Sequence, residues 1–355
     1  MKVTQLYTYP IKSLRSVPLT TAALTPNGFP HDRRFMLLKV HRDVAKAVPR
    51  SKSHLNGNLE NMTVTYYHEL ALFLQSMDEK AGTFTVTYSP PQGQRKSLEI
   101  QLEPEVVGLE VLNVVLHQSP AKAFKMEPRV NAWFSECLGY EVILAYLGPN
   151  RRPVLGNLSP NAVEDTSAAS KSWMSSITSS LPSMAGGKNQ TSGITFADLA
   201  AYLVVTEESL QDVSSRLEDG TKMDMTKFRP NIVLSGSKKA YDEDYWAGIS
   251  ITSKSRRENT TNAIEIVLTQ NCARCVSINV DYSTGKAGTG EAGKVLKKLM
   301  KDRRVDKGNK YSPIFGRYGF SNSADAGRII AVGNDAEVSK VNQEMTTFNW
   351  PGMGT

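Results

Sequence analysis

The feature that most constrains this chain is a succession of short apolar, β-branched and aromatic runs, each of strand length, cut by glycine, proline and polar residues. Phe35 to Val40, Thr63 to Tyr67, Thr83 to Tyr88 and Ser97 to Leu102 follow one another in the first third. Before them, Val3, Leu6, Tyr7 and Tyr9 form a strand pattern that Pro10 interrupts. Many short strands at regular spacing predict a barrel or sandwich. Arg50 to Asn58 reads as a polar loop within it.

The pattern changes near Pro128. Val130, Trp133, Phe134, Cys137 and Leu138 recur at helical spacing, which predicts an amphipathic helix with Cys137 as a small buried hydrophobe. Glu141 to Leu147 then reads as a strand. Residues 157–192, rich in Ser, Ala, Gly and Thr, read as a disordered or loosely packed insertion that Trp173 and Met174 could anchor. Order returns at Ile194. Tyr202 to Val205 is a strand, and Thr206 is an N-cap for a helix carrying Leu210, Val213 and Leu217, with Glu207 and Glu208 in its first turn. Ile232 to Leu234 and Ala263 to Leu268 are strands, Gly293 to Arg304 an amphipathic helix, and the tail after Glu337 polar and peripheral. The expected class is mainly β with α (α+β). The expected division is a β-barrel domain at 1–125, a connecting segment at 126–193, a second domain at 194–336 and a tail at 337–355.

Of the three cysteines in 355 residues, two form the pair Cys272-Ala273-Arg274-Cys275. The run Val276-Ser277-Ile278-Asn279-Val280 alternates with period two and predicts a strand directly after them. Zinc would need two further ligands, and the histidines supply no close pair. A thioredoxin-type pair would open a helix rather than a strand. A single thiolate on a soft metal and two quiet structural cysteines both remain open. The low, odd cysteine count implies a reducing compartment, and the strand pattern beginning at once after Met1 predicts a cytoplasmic protein without a targeting segment. Net charge is +7, from 42 basic and 35 acidic residues, which suits an anionic ligand or acidic partner without demanding nucleic acid. Lys12-Ser13, Arg33-Arg34 and Arg229-Pro230-Asn231 stand where strands start or end. Such residues can converge on one cleft and bind phosphate. Lys294 to Lys310, the most basic run, is a solvated helix face or a docking patch for an acidic protein. No glycine-rich nucleotide loop is present.

Taken in order, the blocks Tyr9-Pro10-Ile11-Lys12-Ser13, Asp32-Arg33-Arg34-Phe35, Thr206 to Leu210, Ser215-Arg216-Leu217, Lys227 to Val233, Arg274-Cys275, Val280-Asp281 with Thr284-Gly285, and Ser312 to Gly316 with Tyr318 resemble the MOSC-domain proteins. The likeness is to the amidoxime-reducing branch. The resemblance implies an N-terminal MOSC-associated β-barrel, a MOSC-domain β-barrel with flanking helices, and a molybdenum cofactor, a pterin dithiolene with a terminal phosphate. It matches Cys275 to the molybdenum ligand and Cys272 to a neighbour that is not one. Lys12, Ser13, Arg33 and Arg229 match residues that hold the pterin and its phosphate, with Asn231 and Tyr318 in the same pocket. Asp198 matches a family acid, but Leu199 and Ala200 stand where hydroxyl residues usually follow. Ala45 to Pro49 matches the family's Arg-bearing stretch poorly, and a membrane-anchor segment has no counterpart.

The implied activity is reduction of N-hydroxylated compounds such as amidoximes and hydroxylamines. The implied electron source is an external cytochrome b5-type donor and its reductase. Two rivals accompany it. One is sulfur transfer through a Cys275 persulfide, although the pyridoxal-phosphate desulfurase part of the sulfurases is absent. The other is a non-catalytic molybdenum cofactor carrier.

Overall fold

The computed structural model describes residues 1–42, 49–50, 55–156, 193–218, 220–254 and 261–354. The expected 157–192 insertion and the Ala45–Val48 stretch lie outside them. The chain is mainly β, as expected, and contains a closed seven-strand barrel. Its strand order is Ile232–Ser235, Tyr202–Thr206, Ile314–Ser321, Thr261–Ala273, Trp246–Lys254, Asp335–Val341 and Lys2–Thr8, which pairs back onto Ile232–Ser235. Closure removes the exposed edge that an open sheet would present.

The closing strand is the first of the chain. Leu6 faces Ile232 and Val3 faces Leu234 across an antiparallel ladder. A division at residue 125 therefore cuts across the barrel. The tail also departs from expectation. Asp335–Val341 is a barrel strand paired with Trp246–Lys254, and Phe348 and Trp350 beyond it are buried. Two isolated aromatics in a polar segment give no periodicity to read, yet each carries a large apolar area that favours burial.

Tyr202–Thr206 and Ile232–Ser235 run parallel, so a crossover is required. The helix Glu207–Ser215 supplies it, with Thr206 Oγ1 accepting from Ser209 N at 3.3 Å as the N-cap. The strand Ile314–Ser321 is buried throughout. Gly316, at φ 81°, lets it approach its neighbour: a Cβ there would lie 2.6 Å from Val205 Cγ1 and 2.9 Å from Val204 O. The expected helix over Gly293 to Arg304 is shorter. An α-helix covers only Val295–Leu299, after a 3-10 turn at Ala292–Lys294, and beyond it Arg303 pairs with buried Asp244 at 2.6 Å.

The other unit joins a six-stranded sheet, ordered Val111–Leu116, Ser119–Lys125, Val142–Tyr146, Phe35–Val40, Leu59–Asn61 and Leu55–Asn56, to a three-stranded meander of Phe73–Asp78, Thr83–Tyr88 and Lys96–Gln101. Phe35, Phe73, Phe84, Phe134 and Leu144 lie in their shared core. The helix Pro128–Leu138 begins with proline in its first turn and ends at Gly139, φ 77°, the favoured residues at those positions. Helix and following strand thus belong to this unit rather than to a connector. No described helix is long and apolar enough to cross a membrane.

Candidate functional site

Between the units lies a cleft of ≈ 390 Å³, into which Lys12, Ser13, Arg33, Asp198, Arg229, Asn231, Cys275 and Tyr318 all project. These eight residues therefore line one space, although they are scattered from position 12 to 318; Arg34, named with Arg33 from sequence, is not in the lining.

The cleft is built at strand ends. After Lys2–Thr8 the chain crosses from the barrel to the other unit, and Ser13 turns with φ 70°. Arg33 (φ 51°) and Arg229 (φ 56°) also occupy the left-handed region, which costs a non-glycine residue about 1–3 kcal/mol. Three such residues facing one cleft indicate that side-chain placement is held against local preference. Asp32 secures Arg33 by an ion pair of 2.5 Å and itself accepts from Tyr9 N at 2.9 Å. Arg33 also donates to Asn231 Oδ1 at 3.3 Å and to Arg229 O at 3.0 Å. The Tyr9 ring stacks against both guanidiniums, 4.5 Å from Arg33 and 4.4 Å from Arg229. Arg229 donates through Nη1 to Leu14 O at 2.8 Å, while its buried Nη2 has no hydrogen-bond partner. A buried donor without an acceptor is costly, so this nitrogen is free to donate to a group entering the cleft.

The thiols differ. Cys275 is the exposed cysteine. Its Sγ lies 3.1 Å from Ser277 Oγ and 3.3 Å from Thr65 Oγ1. Cys272 is buried and accepts from Arg274 Nη1 at 2.9 Å; burial pushes its thiol up, with Arg274 pulling the other way. Burial likewise holds the Tyr318 phenol well above its ordinary value. The strand expected after Cys275 is absent. The long strand Thr261–Ala273 runs into the pair and carries Cys272 at its end, and a 3-10 turn, Val276–Asn279, follows Cys275. The run alternates in composition, but Val276 is 43% exposed while Ile278 and Val280 are buried. Five residues of alternation are too few to separate a strand from a tight turn. The third cysteine, Cys137, is half-buried in its helix, and burial pushes its thiol up to about 11. Among the described residues no cluster of three or more His, Cys, Asp or Glu is placed to hold a metal.

Asp198 carries a second network. Its Oδ1 accepts from Lys12 Nζ and, at 3.2 Å, pairs with His117 Nε2. Burial pushes Lys12 down to about 8, against the upward pull of Asp198. Burial would raise the Asp198 carboxyl, but Lys12 and His117 hold it well below the usual carboxylate range. Fully buried Arg152 fixes the segment, donating to Thr195 O at 3.0 Å, Leu116 O at 2.7 Å and Asp198 O at 3.0 Å.

Sequence reasoning missed His117. It sits with Gln118 at the tip of a two-residue hairpin between Leu116 and Ser119, at φ 52° and 64°. Such tips normally carry Asn-Gly or Asp-Gly. Here Trp350 Nε1 donates to His117 O at 2.6 Å, and Phe348 and Met353 add an apolar wall to the cleft. A histidine at a hairpin tip without turn residues was the available signal.

Fold and cleft define a class: a mainly β protein of two units with a basic, thiol-bearing cleft between them. The chain is a MOSC-domain protein, with residues 1–141 matching the MOSC N-terminal beta barrel domain and residues 191–337 the MOSC domain. It is 26% identical over 323 residues to human mitochondrial amidoxime-reducing component 1, covering 89% of this chain and 77% of the relative. It is 26% identical over 324 residues to mitochondrial amidoxime reducing component 2 of Macaca fascicularis, covering 89% and 78%. Molybdenum cofactor sulfurase of Arabidopsis thaliana is 24% identical over 287 residues, 78% of this chain but 28% of the relative.

Proposed function

We propose that the cleft binds a molybdenum cofactor and that the protein reduces N-hydroxylated compounds, amidoximes and hydroxylamines, with electrons from a cytochrome b5-type donor. The observation that carries this reading is the convergence of Cys275 with Lys12, Ser13, Arg33 and Arg229 on one cleft. The residues fit the group. The unpartnered Nη2 of Arg229 suits a phosphate oxygen, Arg33 adds charge beside it, and exposed Cys275 offers the single thiolate that a soft metal takes when its other ligands come with the cofactor. When bound, that cofactor supplies the two-electron centre for reducing the N–O bond.

The chain's own groups do the rest. Arg229, Arg33 and Ser13 hold the anionic end. Ser277 and Thr65 orient the Cys275 sulfur. Lys12, whose ammonium is pushed down to about 8, is suited to give up a proton near neutral pH. Each N–O bond reduced consumes two electrons and two protons and releases water. The donor's docking face is narrower than the 294–310 run. Lys298 is tied to Glu291 at 2.6 Å and Glu218 at 3.0 Å, and Lys294 to Glu291 at 3.1 Å. Lys297, Lys301, Arg304, Lys307 and Lys310 remain exposed, and Asn309 among them lines the cleft.

The test is anaerobic turnover of benzamidoxime by cofactor-loaded protein with a reduced viologen dye. Formation of benzamidine in the wild type and its loss in Cys275→Ser is the expected result; no benzamidine from fully loaded wild type sinks the reading. Sulfur transfer is the second reading, favoured by the match to molybdenum cofactor sulfurases. It predicts a cyanide-releasable persulfide on Cys275.

A further inference from the structure

The chain continues past the part matched to the MOSC domain, which ends at residue 337. Once the strand Asp335–Val341 is complete, residues 342–353 leave the barrel and cross to the other unit. The path is fastened along its length. Asn342 N donates to Tyr245 O at 2.8 Å, buried Arg317 donates through Nη1 to Thr346 Oγ1 at 2.6 Å, and Phe348 N donates to Asp306 Oδ1 at 2.9 Å. Gly308 lets the backbones pass closely, since a Cβ there would lie 2.2 Å from Phe348 O. The Trp350 indole then reaches His117 O in the hairpin of the other unit. Ordering such a segment costs backbone entropy, which these hydrogen bonds and the burial of Phe348 and Trp350 offset.

Where the tail passes the cleft it presents Phe348, Gly352 and Met353. Phe348 belongs to the same apolar cluster as Leu199 and Ala200, and Met353 packs against that cluster. Leu199 and Ala200 follow Asp198 directly and bring no hydroxyl to this place. The wall so formed offers no hydrogen-bond donor, and its one weak acceptor is the Met353 thioether. An anion held by Arg33 and Arg229 and a metal held by Cys275 would make no use of it. An apolar wall in a cleft gains from an apolar group that covers it and leaves water.

We propose that Phe348 and Met353 of the tail, with Leu199 and Ala200, bind the apolar body of an N-hydroxylated substrate. The tail is then a specificity element that lies outside the MOSC match. Substrates with an aromatic or branched aliphatic body are favoured over those that are little more than the N–O head. The proposal deepens the reductase reading and rests on it for the head group alone. Selectivity follows from area: a benzyl group covers the wall, and a methyl group covers little of it.

The test is isothermal titration of the full-length protein, purified from a host that makes the cofactor and kept oxidised, with N-benzylhydroxylamine and with N-methylhydroxylamine. Both carry the same head, and neither is reduced without an electron donor. Wild type should bind the benzyl compound about tenfold or more tightly. Phe348→Ala and Met353→Ala should each cut that ratio several-fold, with the loss confined to the benzyl compound, and Phe348→Leu should keep most of it. A ratio near one in the wild type, no binding of the benzyl compound, a ratio intact in both alanine variants, or equal weakening of both ligands overturns the proposal. If Phe348→Ala does not fold, Met353→Ala decides, because Met353 is only half-buried: a reduced ratio supports the wall and an unchanged one overturns it. A benzyl preference in a protein that reduces neither compound with a reduced viologen dye sinks the reductase reading alone. Reduction of both compounds without any difference in affinity sinks the wall alone.

Discussion

Lys12 is buried at the crossing between the two units, and replacing it with methionine gives a defined pH signature. Its ammonium falls from the ordinary 10.5 to about 8 through burial, with Asp198 opposing the shift. Asp198 is half open to the cleft, so solvent screens its pull and full screening would only enlarge the shift. The neutral amine is the form favoured by folding. The unfolded chain therefore holds the proton over a pH range in which the folded chain has released it, and stability from this group rises with pH across that range. Its contribution is fully present above 10.5 and is lost as pH falls through about 8. At about 1.4 kcal/mol per pKa unit the whole change is on the order of 3 kcal/mol. Buried tyrosines also titrate at high pH, but they are common to both proteins and cancel in the difference. Urea unfolding of cofactor-free wild type and Lys12→Met from pH 7 to 10.5 should show wild type gaining on the variant by about 2–4 kcal/mol. A difference that stays flat, or one that falls with pH, refutes the buried-ammonium reading.

Other predictions follow from single contacts. Arg229→Met removes the donor left unpaired at the basic end and should weaken inorganic phosphate or cofactor binding by about tenfold or more, read by equilibrium dialysis. Trp350→Ala opens a cavity at a buried indole and frees His117 O. It should lower stability by about 3–5 kcal/mol in a chemical melt, and a loss below about 1 kcal/mol would mean the tail is not part of the folded unit. Charge reversal at Lys301 and Lys307 should slow reduction by an acidic cytochrome donor and weaken its salt dependence, with little effect on reduction by a dye. Equal slowing by both reductants would remove the docking face.

The strand-rich architecture was legible because strand-length apolar runs between turn residues have few other solutions. The βα crossover was legible for the same reason at finer grain: Thr206 with Glu207 and Glu208 is a start signal read from local chemistry. The basic residues at strand ends could be named one by one. Their convergence could not be read from spacing, because it depends on Lys2–Thr8 closing a barrel whose other strands begin about two hundred residues later. The ordered family blocks supplied that information. Three features escaped for physical reasons. Ser13, Arg33, His117 and Arg229 adopt left-handed backbone without the glycine or asparagine that announces it. Trp350 and Phe348 act singly, so no periodic pattern flags them. Val276 to Val280 alternates, yet only two of its three apolar side chains find the core.

The central claim is that Cys275 supplies the protein's ligand to a molybdenum centre in this cleft. The most direct measurement is molybdenum and pterin content, with sulfur coordination from X-ray absorption at the molybdenum edge. It should be made on wild type and Cys275→Ser purified from a host that makes the cofactor. The account predicts near-stoichiometric molybdenum in the wild type, with one more sulfur neighbour than in any metal retained by the variant. Folded wild type without molybdenum, or identical sulfur coordination in both proteins, would contradict it.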